Sequence, residues 1–156
     1  MPNGQNHDMI NMAVLILALA AFFYFILWNE SIICSRYLDL YTILIFSLSY
    51  LFATFFLSPD LDIESKPYKR WGILRLILWP YKVILKHRGF SHNTIIGPFS
   101  IVLNLAIIVI PFLLLAGVQL QKIPLNYVAV TILGMVMSME VHIISDCLVS
   151  KFNDHF

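Results

Sequence analysis

The sequence predicts an all-α membrane protein with four transmembrane helices and a helical segment lying at the membrane surface. Its 156 residues are 60% hydrophobic and 12% charged, and the mean hydropathy is +0.82. An ordinary soluble domain is about half apolar and about a quarter charged. The chain also contains four long uncharged stretches, and most basic residues lie between the second and the third. These observations together predict the fold class.

Each apolar stretch is close to the length of about 20 residues that crosses the hydrocarbon core as a helix. The first is expected to be a retained helix and not a removable signal peptide, because no basic residue precedes it and no small-residue cleavage pattern follows Trp28. No repeat or flexible linker divides residues 1–156, which are expected to form a single membrane-embedded domain. The predicted spans are residues 9–28, 40–58, 94–118 and 124–149.

Residues 66–86 between the second and third spans mix aliphatic and basic side chains, with Trp71 and Trp79 among them. Aromatic rings at headgroup depth beside snorkelling Lys and Arg are typical of a helix lying in the interface. Pro80 is expected to break it. Membrane lipid is therefore the predicted partner, either as an anchor or as an anionic substrate drawn to a nearby site. No nucleic-acid partner is expected.

The basic residues also predict the orientation. Seven of the ten lie in residues 58–92, whereas the two loops on the opposite side hold one each, Arg36 and Lys122. The positive-inside rule places the long segment and both termini in the cytoplasm of a multi-pass cell-membrane protein. Cys34 and Cys147 then face opposite sides and form no disulfide with each other.

Four short polar clusters lie at or near the ends of the apolar stretches, at residues 7–8, 58–62, 87–92 and 142–146. If the stretches cross the membrane alternately, all four clusters lie on the cytoplasmic side. They contain four of the five histidines and four of the nine acidic residues. Imidazole and carboxylate groups are the ligands that zinc and other divalent metals take in proteins. The predicted metal ligands are His7, Asp8, Asp60, Asp62, His87, His92, His142 and Asp146.

Spacing within the clusters favours shared ligation. His142 and Asp146 are four residues apart and would lie on one helix face, where both can bind one metal ion. The alternative is a simple hydrogen bond between the two side chains. Asp60 and Asp62 follow Pro59, and an extended backbone there would point both carboxylates to one side. The alternative for this pair is a capping or solvated acidic turn.

His87 and His92 are five residues apart, which does not suit one helix face. Gly89 permits a bend that brings both imidazoles together. Arg88 between them can bind a carboxylate or a phosphate oxygen through its planar fork. Ser91 or Asn93 is expected to cap the following helix, which would place a helix N-terminus beside His92.

Together these motifs resemble a known family. The combination is similar to small bacterial membrane proteins described as uncharacterised metal-binding proteins, related to the membrane-bound metal-dependent hydrolases, and it covers most of the chain. The opening residues 2–8 also resemble that group, whereas Asn93 stands where its pattern has Ser. The resemblance implies a metal site and hydrolase chemistry but no substrate. The motifs are S-P-D-x-D at 58–62, K-P-Y-K-R-W-G at 66–72, H-R-G-x-x-H at 87–92 and H-x-x-x-D at 142–146.

Three functions follow from these observations. A metal-dependent hydrolase would hold one or two zinc ions, use Asp62 as general base and Arg88 to stabilise charge, and act on a lipid or another amphiphilic phosphoester or ester. A non-catalytic protein would use the ion as a structural or sensing element. An ion carrier fits least, because transporters bind their cargo near the bilayer midplane and these clusters lie at one edge. Whether the chain is an enzyme stays open.

Overall fold

A computed structural model describes residues 4–28, 39–62, 65–76, 78 and 93–153 of the chain. Over these residues the protein is helical and contains no β-strand. Three 3₁₀ turns, Pro59–Asp62, Gly72–Leu76 and Leu120–Lys122, connect the longer elements. The α-helices are α1 Gly4–Trp28, α2 Leu40–Phe56, α3 Lys66–Arg70, α4 Ile96–Leu115 and α5 Leu125–Asn153.

Three helices are long and apolar enough to cross a membrane, and they indicate a membrane protein. The qualifying segments are Asn6–Trp28, Ile96–Leu115 and Leu125–Lys151. α2 is equally apolar but has 17 residues. Large apolar side chains such as Leu17, Phe99 and Leu133 are exposed on the helix surfaces, as expected where lipid covers a protein.

α2 and α5 form the most extensive helix pair, with α1 and α4 both packed on α5. Gly134 makes this close packing possible, because a Cβ there would lie 2.7 Å from the Phe46 carbonyl oxygen and would collide with Ser49 Oγ. Two apolar clusters flank the pair. Leu15, Phe46 and Tyr50 join α1 to α2, and the second cluster comprises Ala53, Leu57, Leu61, Tyr68, Leu78, Ile101 and Met139.

A column of buried polar side chains runs between the helices. The Tyr50 hydroxyl lies 3.0 Å from Asn11 Oδ1. One turn further along α2, Thr54 Oγ1 lies 2.9 Å from Ser138 Oγ. Thr54 donates its proton to the Tyr50 carbonyl oxygen, so Ser138 is the donor in the contact between the two hydroxyls. We call Asn11, Tyr50, Thr54 and Ser138 the polar column.

α1 begins five residues before the predicted span, so His7 and Asp8 lie inside its first two turns. The expectation that they precede the helix was wrong. A helix that extends beyond the hydrocarbon needs no apolar side chains there, and no proline or glycine follows Gly4 to stop it.

Helix ends follow the local chemistry. Asp39 caps α2, and hydrogen bonds from the Thr42 hydroxyl and the Thr42 backbone N–H lower the pKa of its carboxyl group. α4 begins at Ile96 with Ile95 at the N-cap position and no side-chain cap there. Asn93, one of the two predicted caps, lies two residues before Ile95, and its Oδ1 accepts from the N–H groups of Ile95 and Ile96 at 3.0 and 3.1 Å. Pro111 lies inside α4.

The surface segment is not the single helix that the sequence predicted. α3 ends at Arg70, and Gly72 adopts the left-handed φ of +53° before the 3₁₀ turn Gly72–Leu76. Glycine reaches this conformation without steric cost, which is why the helix stops there. Ile73, Leu74 and Leu76 are exposed. The predicted break at Pro80 lies outside the described residues.

Candidate metal centre

Three of the predicted ligands meet at one end of the helix bundle. His7 comes from the start of α1, and His142 and Asp146 come from the last third of α5. Ser58, two residues after α2, lies beside them. One ligand atom from each of His7, His142 and Asp146 lies within 4.8 Å of the other two. α1 begins at this end while α2 and α5 end here, so the alternating path of the chain brings distant residues together.

The Asp146 carboxylate contacts both imidazoles. His7 Nε2 is 3.1 Å from Asp146 Oδ1, and His142 Nε2 is 3.4 Å from Asp146 Oδ2. The second contact confirms that the four-residue spacing places His142 and Asp146 on one face of α5. The two imidazole rings stack with centroids 4.1 Å apart and an interplanar angle of 27°. Both histidines are almost fully buried, with exposures of 5% and 7%.

Ser145 fixes the orientation of the His7 ring. Its Oγ lies 2.8 Å from His7 Nδ1 and 2.8 Å from the backbone carbonyl oxygen of His142. The carbonyl can only accept, so when the single proton of the serine hydroxyl bonds to it, Ser145 Oγ accepts from His7 Nδ1–H. The roles in the contact with His7 depend on the tautomer of its ring.

The other ring nitrogen of His7, Nε2, faces Asp146 Oδ1 at 3.1 Å. With the proton on Nδ1, Nε2 of a neutral imidazole carries a lone pair that can bind a metal ion, whereas with the proton on Nε2 it donates to the carboxylate. Histidines that bind metals characteristically donate their other ring N–H to a neighbouring acceptor, and Ser145 Oγ occupies that position here.

The donor set is one that divalent metal ions take in proteins. With zinc–nitrogen and zinc–oxygen bonds of about 2.0–2.2 Å, two ligand atoms of a tetrahedral site lie about 3.3 Å apart. Here one ligand atom from each of the three residues lies within 4.8 Å of the other two, and His7 and His142 approach different oxygens of Asp146. Two imidazoles and one carboxylate also form a ligand set found in catalytic zinc sites.

Asp8 lies in a different set of contacts. Its Oδ2 forms a salt bridge of 2.7 Å with Arg70 Nη2, and it is not part of the three-residue group. Arg70 also donates to the Phe55 carbonyl oxygen at the end of α2.

The other predicted site residues fall outside the described part of the chain. This applies to His87, Arg88 and His92 entirely, and to the side chains of Asp60 and Asp62. The backbone of these two aspartates forms the 3₁₀ turn Pro59–Asp62, with the Leu61 N–H bonded to the Ser58 carbonyl oxygen at 3.0 Å. The expectation of an extended backbone was therefore wrong, because the turn closes directly after α2.

Sequence reasoning overlooked the residues that support the ligands. Ser145 and Ser58 lay within the polar clusters but were given no role in ligation. The polar column was also missed. A signal for it was present, because its members are spaced four residues from the site residues, as Asn11 is from His7 and Ser138 from His142.

Comparison with known proteins supports a metal-binding role. The pattern that defines a family described as "Uncharacterized metal-binding protein (DUF2227)" matches residues 2–125. This range includes His7 and ends at the first residue of α5, so the placement of His142 and Asp146 rests on the geometry. No link to membrane hydrolases appears in these comparisons.

A shorter similarity connects the chain with an "Uncharacterized protein" of Aquifex aeolicus (strain VF5). The two are 47% identical over 53 residues, which is 33% of this chain and 38% of the relative. The chain therefore spans well under half the length of that protein. No solved structure matches the chain significantly.

Proposed function

The chain belongs to the family of uncharacterized metal-binding proteins, and we propose that it binds a divalent metal ion, zinc, between His7, His142 and Asp146. The convergence of these three side chains, with one ligand atom of each within 4.8 Å of the other two, carries this proposal. Ser145 Oγ lies 2.8 Å from His7 Nδ1, and the other ring nitrogen, Nε2, faces Asp146 Oδ1 at 3.1 Å. Nitrogen and oxygen ligands suit zinc.

The remaining ligand positions are assigned to Asp60, His87 and His92, with Asp62 beside them and not bound to the metal. Asp60 and Asp62 follow Ser58, whose Oγ lies 3.5 Å from His142 Nε2, so their backbone is near the centre. One ion needs about three protein ligands and an open position when the site is catalytic. A set this large would hold two ions that share a carboxylate. Asp8 is left out because it pairs with Arg70.

The site is placed at the cytoplasmic surface of a protein with four spans. α2 would be the fourth, since 17 residues of helix extend about 25 Å and reach the short end of the spanning range. The excess of basic residues in residues 58–92 supports the cytoplasmic side.

Metal content tests the central proposal. Protein purified in detergent without added metal should contain a stoichiometric divalent ion by elemental analysis, and stripped protein should take up zinc on titration. His7→Ala, His142→Ala and Asp146→Asn should each lose most of this zinc. The control is His155→Ala, which removes the one histidine outside the polar clusters. Folded wild-type protein that takes up no zinc would refute the site.

We further propose that the protein hydrolyses a phospholipid or another amphiphilic phosphoester. A bound zinc ion would supply Lewis acidity and lower the pKa of water. Asp62 is proposed as general base, and Arg88 would stabilise charge on the phosphoryl group. The position of the centre, at the ends of membrane-spanning helices, supports a substrate whose reactive group lies at headgroup depth. Metal-dependent hydrolysis of phospholipid vesicles, lost in Asp62→Asn but not in His155→Ala, is the test.

The alternative is a non-catalytic centre that fastens α1 to α5 or senses metal. The burial of His7 and His142 favours it, because a structural site is closed by protein ligands. X-ray absorption spectroscopy of the zinc-loaded protein discriminates between the two. A ligand position filled by water supports the hydrolase, whereas complete coordination by protein supports the structural site.

A further inference from the structure

Tyr50 ties α1 to α2 one helix turn away from the metal centre. It is completely buried, with 0% of its surface exposed. Its hydroxyl lies 3.0 Å from Asn11 Oδ1 and 3.2 Å from the Asn11 backbone carbonyl oxygen. Asn11 is itself 3% exposed. It follows His7 by four residues, so the two side chains lie on the same face of α1.

The position of α1 along its axis determines whether His7 reaches Asp146. α1 packs on α2 and α5 less extensively than these two pack on each other. Apolar contacts between helices in lipid give little preference for one axial position, because lipid tails satisfy the same side chains. Hydrogen bonds between helices do specify the position, and Tyr50 provides one deep in the bundle.

Tyr50 also has contacts outside α1. Its ring lies 6.0 Å from that of Phe46 on α2, measured between centroids, and Val130 of α5 packs against the same apolar cluster. The hydroxyl is therefore presented from the α2–α5 pair as a fixed point. A shift of α1 along its axis would break its bond to Asn11 and would move His7 away from Asp146 at the same time.

From this arrangement we infer that Tyr50 is a positioning residue for the metal centre, acting through Asn11 to place His7 against Asp146. The inference rests on the proposed zinc site. It assigns Tyr50 no contact with the ion, and its effect on metal affinity is transmitted through His7 alone.

A double-mutant cycle of zinc affinity tests this inference. Tyr50→Phe removes only the hydroxyl, and we expect the zinc dissociation constant to rise about 10–100-fold, the range seen when a residue supporting a ligand is lost. In a His7→Ala background the same substitution should have no further effect, because its target is already absent. The absorption spectrum of bound Co²⁺ should change from wild type to Tyr50→Phe and resemble that of His7→Ala.

Thr54→Val is the matched control, since it removes a buried hydrogen bond between α2 and α5 while leaving α1 untouched. Its zinc affinity should stay near the wild-type value. If Tyr50→Phe does not fold, Asn11→Ala enters the same cycle with the same expectation.

Wild-type zinc affinity in Tyr50→Phe would overturn the positioning role while leaving the zinc site intact. An equal loss in Thr54→Val, or an equal further loss in the His7→Ala background, would also overturn it, because both indicate general loosening of the bundle. Wild-type protein that binds no zinc would instead refute the site itself.

Discussion

Ser145 makes two hydrogen bonds of 2.8 Å, one to the carbonyl oxygen of His142, which accepts, and one with His7 Nδ1. The contact with Nδ1 holds the His7 ring with Nε2 toward Asp146. Such supporting contacts orient a ligand and raise its basicity, and they account for a substantial part of metal affinity.

Replacing Ser145 should therefore weaken the metal centre without touching a ligand. In Ser145→Ala the Nδ1–H of His7 loses its acceptor, and the zinc dissociation constant should rise about 10–100-fold in a competition titration. Ser47→Ala is the control, because Ser47 also donates to a carbonyl in its own helix, that of Ile43 at 2.7 Å, but on α2 away from the site. Equal zinc affinities in the two variants would contradict this role for Ser145.

The two aspartates of α1 and α5 should behave differently. Asp8 pairs with Arg70 through side chains that are 22% and 33% exposed, and such pairs contribute about 0–1 kcal/mol to stability. Asp8→Asn should retain its zinc and lower the melting temperature slightly. Asp146→Asn should lose most of its zinc, because Asp146 contacts both imidazoles. Zinc loss in Asp8→Asn equal to that in Asp146→Asn would restore Asp8 as a ligand.

At the scale of helices, the contact of α2 with α5 depends on a position that has no side chain. A Cβ at Gly134 would lie 2.7 Å from the Phe46 carbonyl oxygen and 3.2 Å from the Tyr50 backbone nitrogen, and it would overlap Ser49 Oγ. Small residues at helix contacts are how membrane helices approach closely. Since α5 carries His142 and Asp146, this spacing also sets how far they lie from α2.

Gly134→Ala should destabilise the protein by about 1–3 kcal/mol, the usual cost of inserting a methyl group into a packed contact. A lower melting temperature in detergent is the expected result. Adding Ser49→Ala should restore only part of the loss, because it removes the overlap with Oγ but not that with the backbone oxygen of Phe46. Full recovery in the double variant would show that the backbones separate easily.

Features of the helices that depend on residues close together in the sequence were easier to predict than features that depend on distant residues. The pairing of His142 with Asp146 was predictable, because four residues make about one turn in any α-helix. The first turns of α1 were missed, since polar residues outside the hydrocarbon carry no apolar pattern. The turn at Pro59–Asp62 was mistaken for an extended segment, because two aspartates after a proline suit either conformation.

Contacts between distant parts of the chain lay beyond the sequence. Tyr50 and Asn11 are 39 residues apart, and Thr54 and Ser138 are 84 apart. Their pairing depends on which faces of three helices meet. The sequence placed polar residues at helical spacing but did not identify their partners. It likewise could not show that Arg70 lies 2.7 Å from Asp8, a residue predicted to be a metal ligand.

For the whole molecule, the alternating direction of the helices determines which residues lie at the end with the proposed metal site. α1 starts at the metal end, α2 returns to it, α4 leaves it, and α5 returns again. α3 packs on α2 and on the turn Pro59–Asp62 at this same end. The turn containing Lys122, between α4 and α5, lies at the opposite end. A bilayer across these helices therefore separates Lys69 of α3 from Lys122, whichever way the protein is oriented.

The orientation itself decides which compartment supplies the metal and any substrate. With seven of ten basic residues in residues 58–92, the positive-inside rule predicts that the end with the proposed metal site faces the cytoplasm. Lys69→Cys and Lys122→Cys, each made after Cys34 and Cys147 are replaced by serine, test this with a membrane-impermeant maleimide on whole cells. Position 122 should be labelled directly, and position 69 only after the cells are permeabilised. Both lysines are exposed, so protection at position 69 would reflect the membrane and not burial.

Direct labelling at 69 with protection at 122 would reverse the orientation and make the site extracytoplasmic. Labelling of both positions from outside would mean that no bilayer separates the two ends, which contradicts the arrangement of spans.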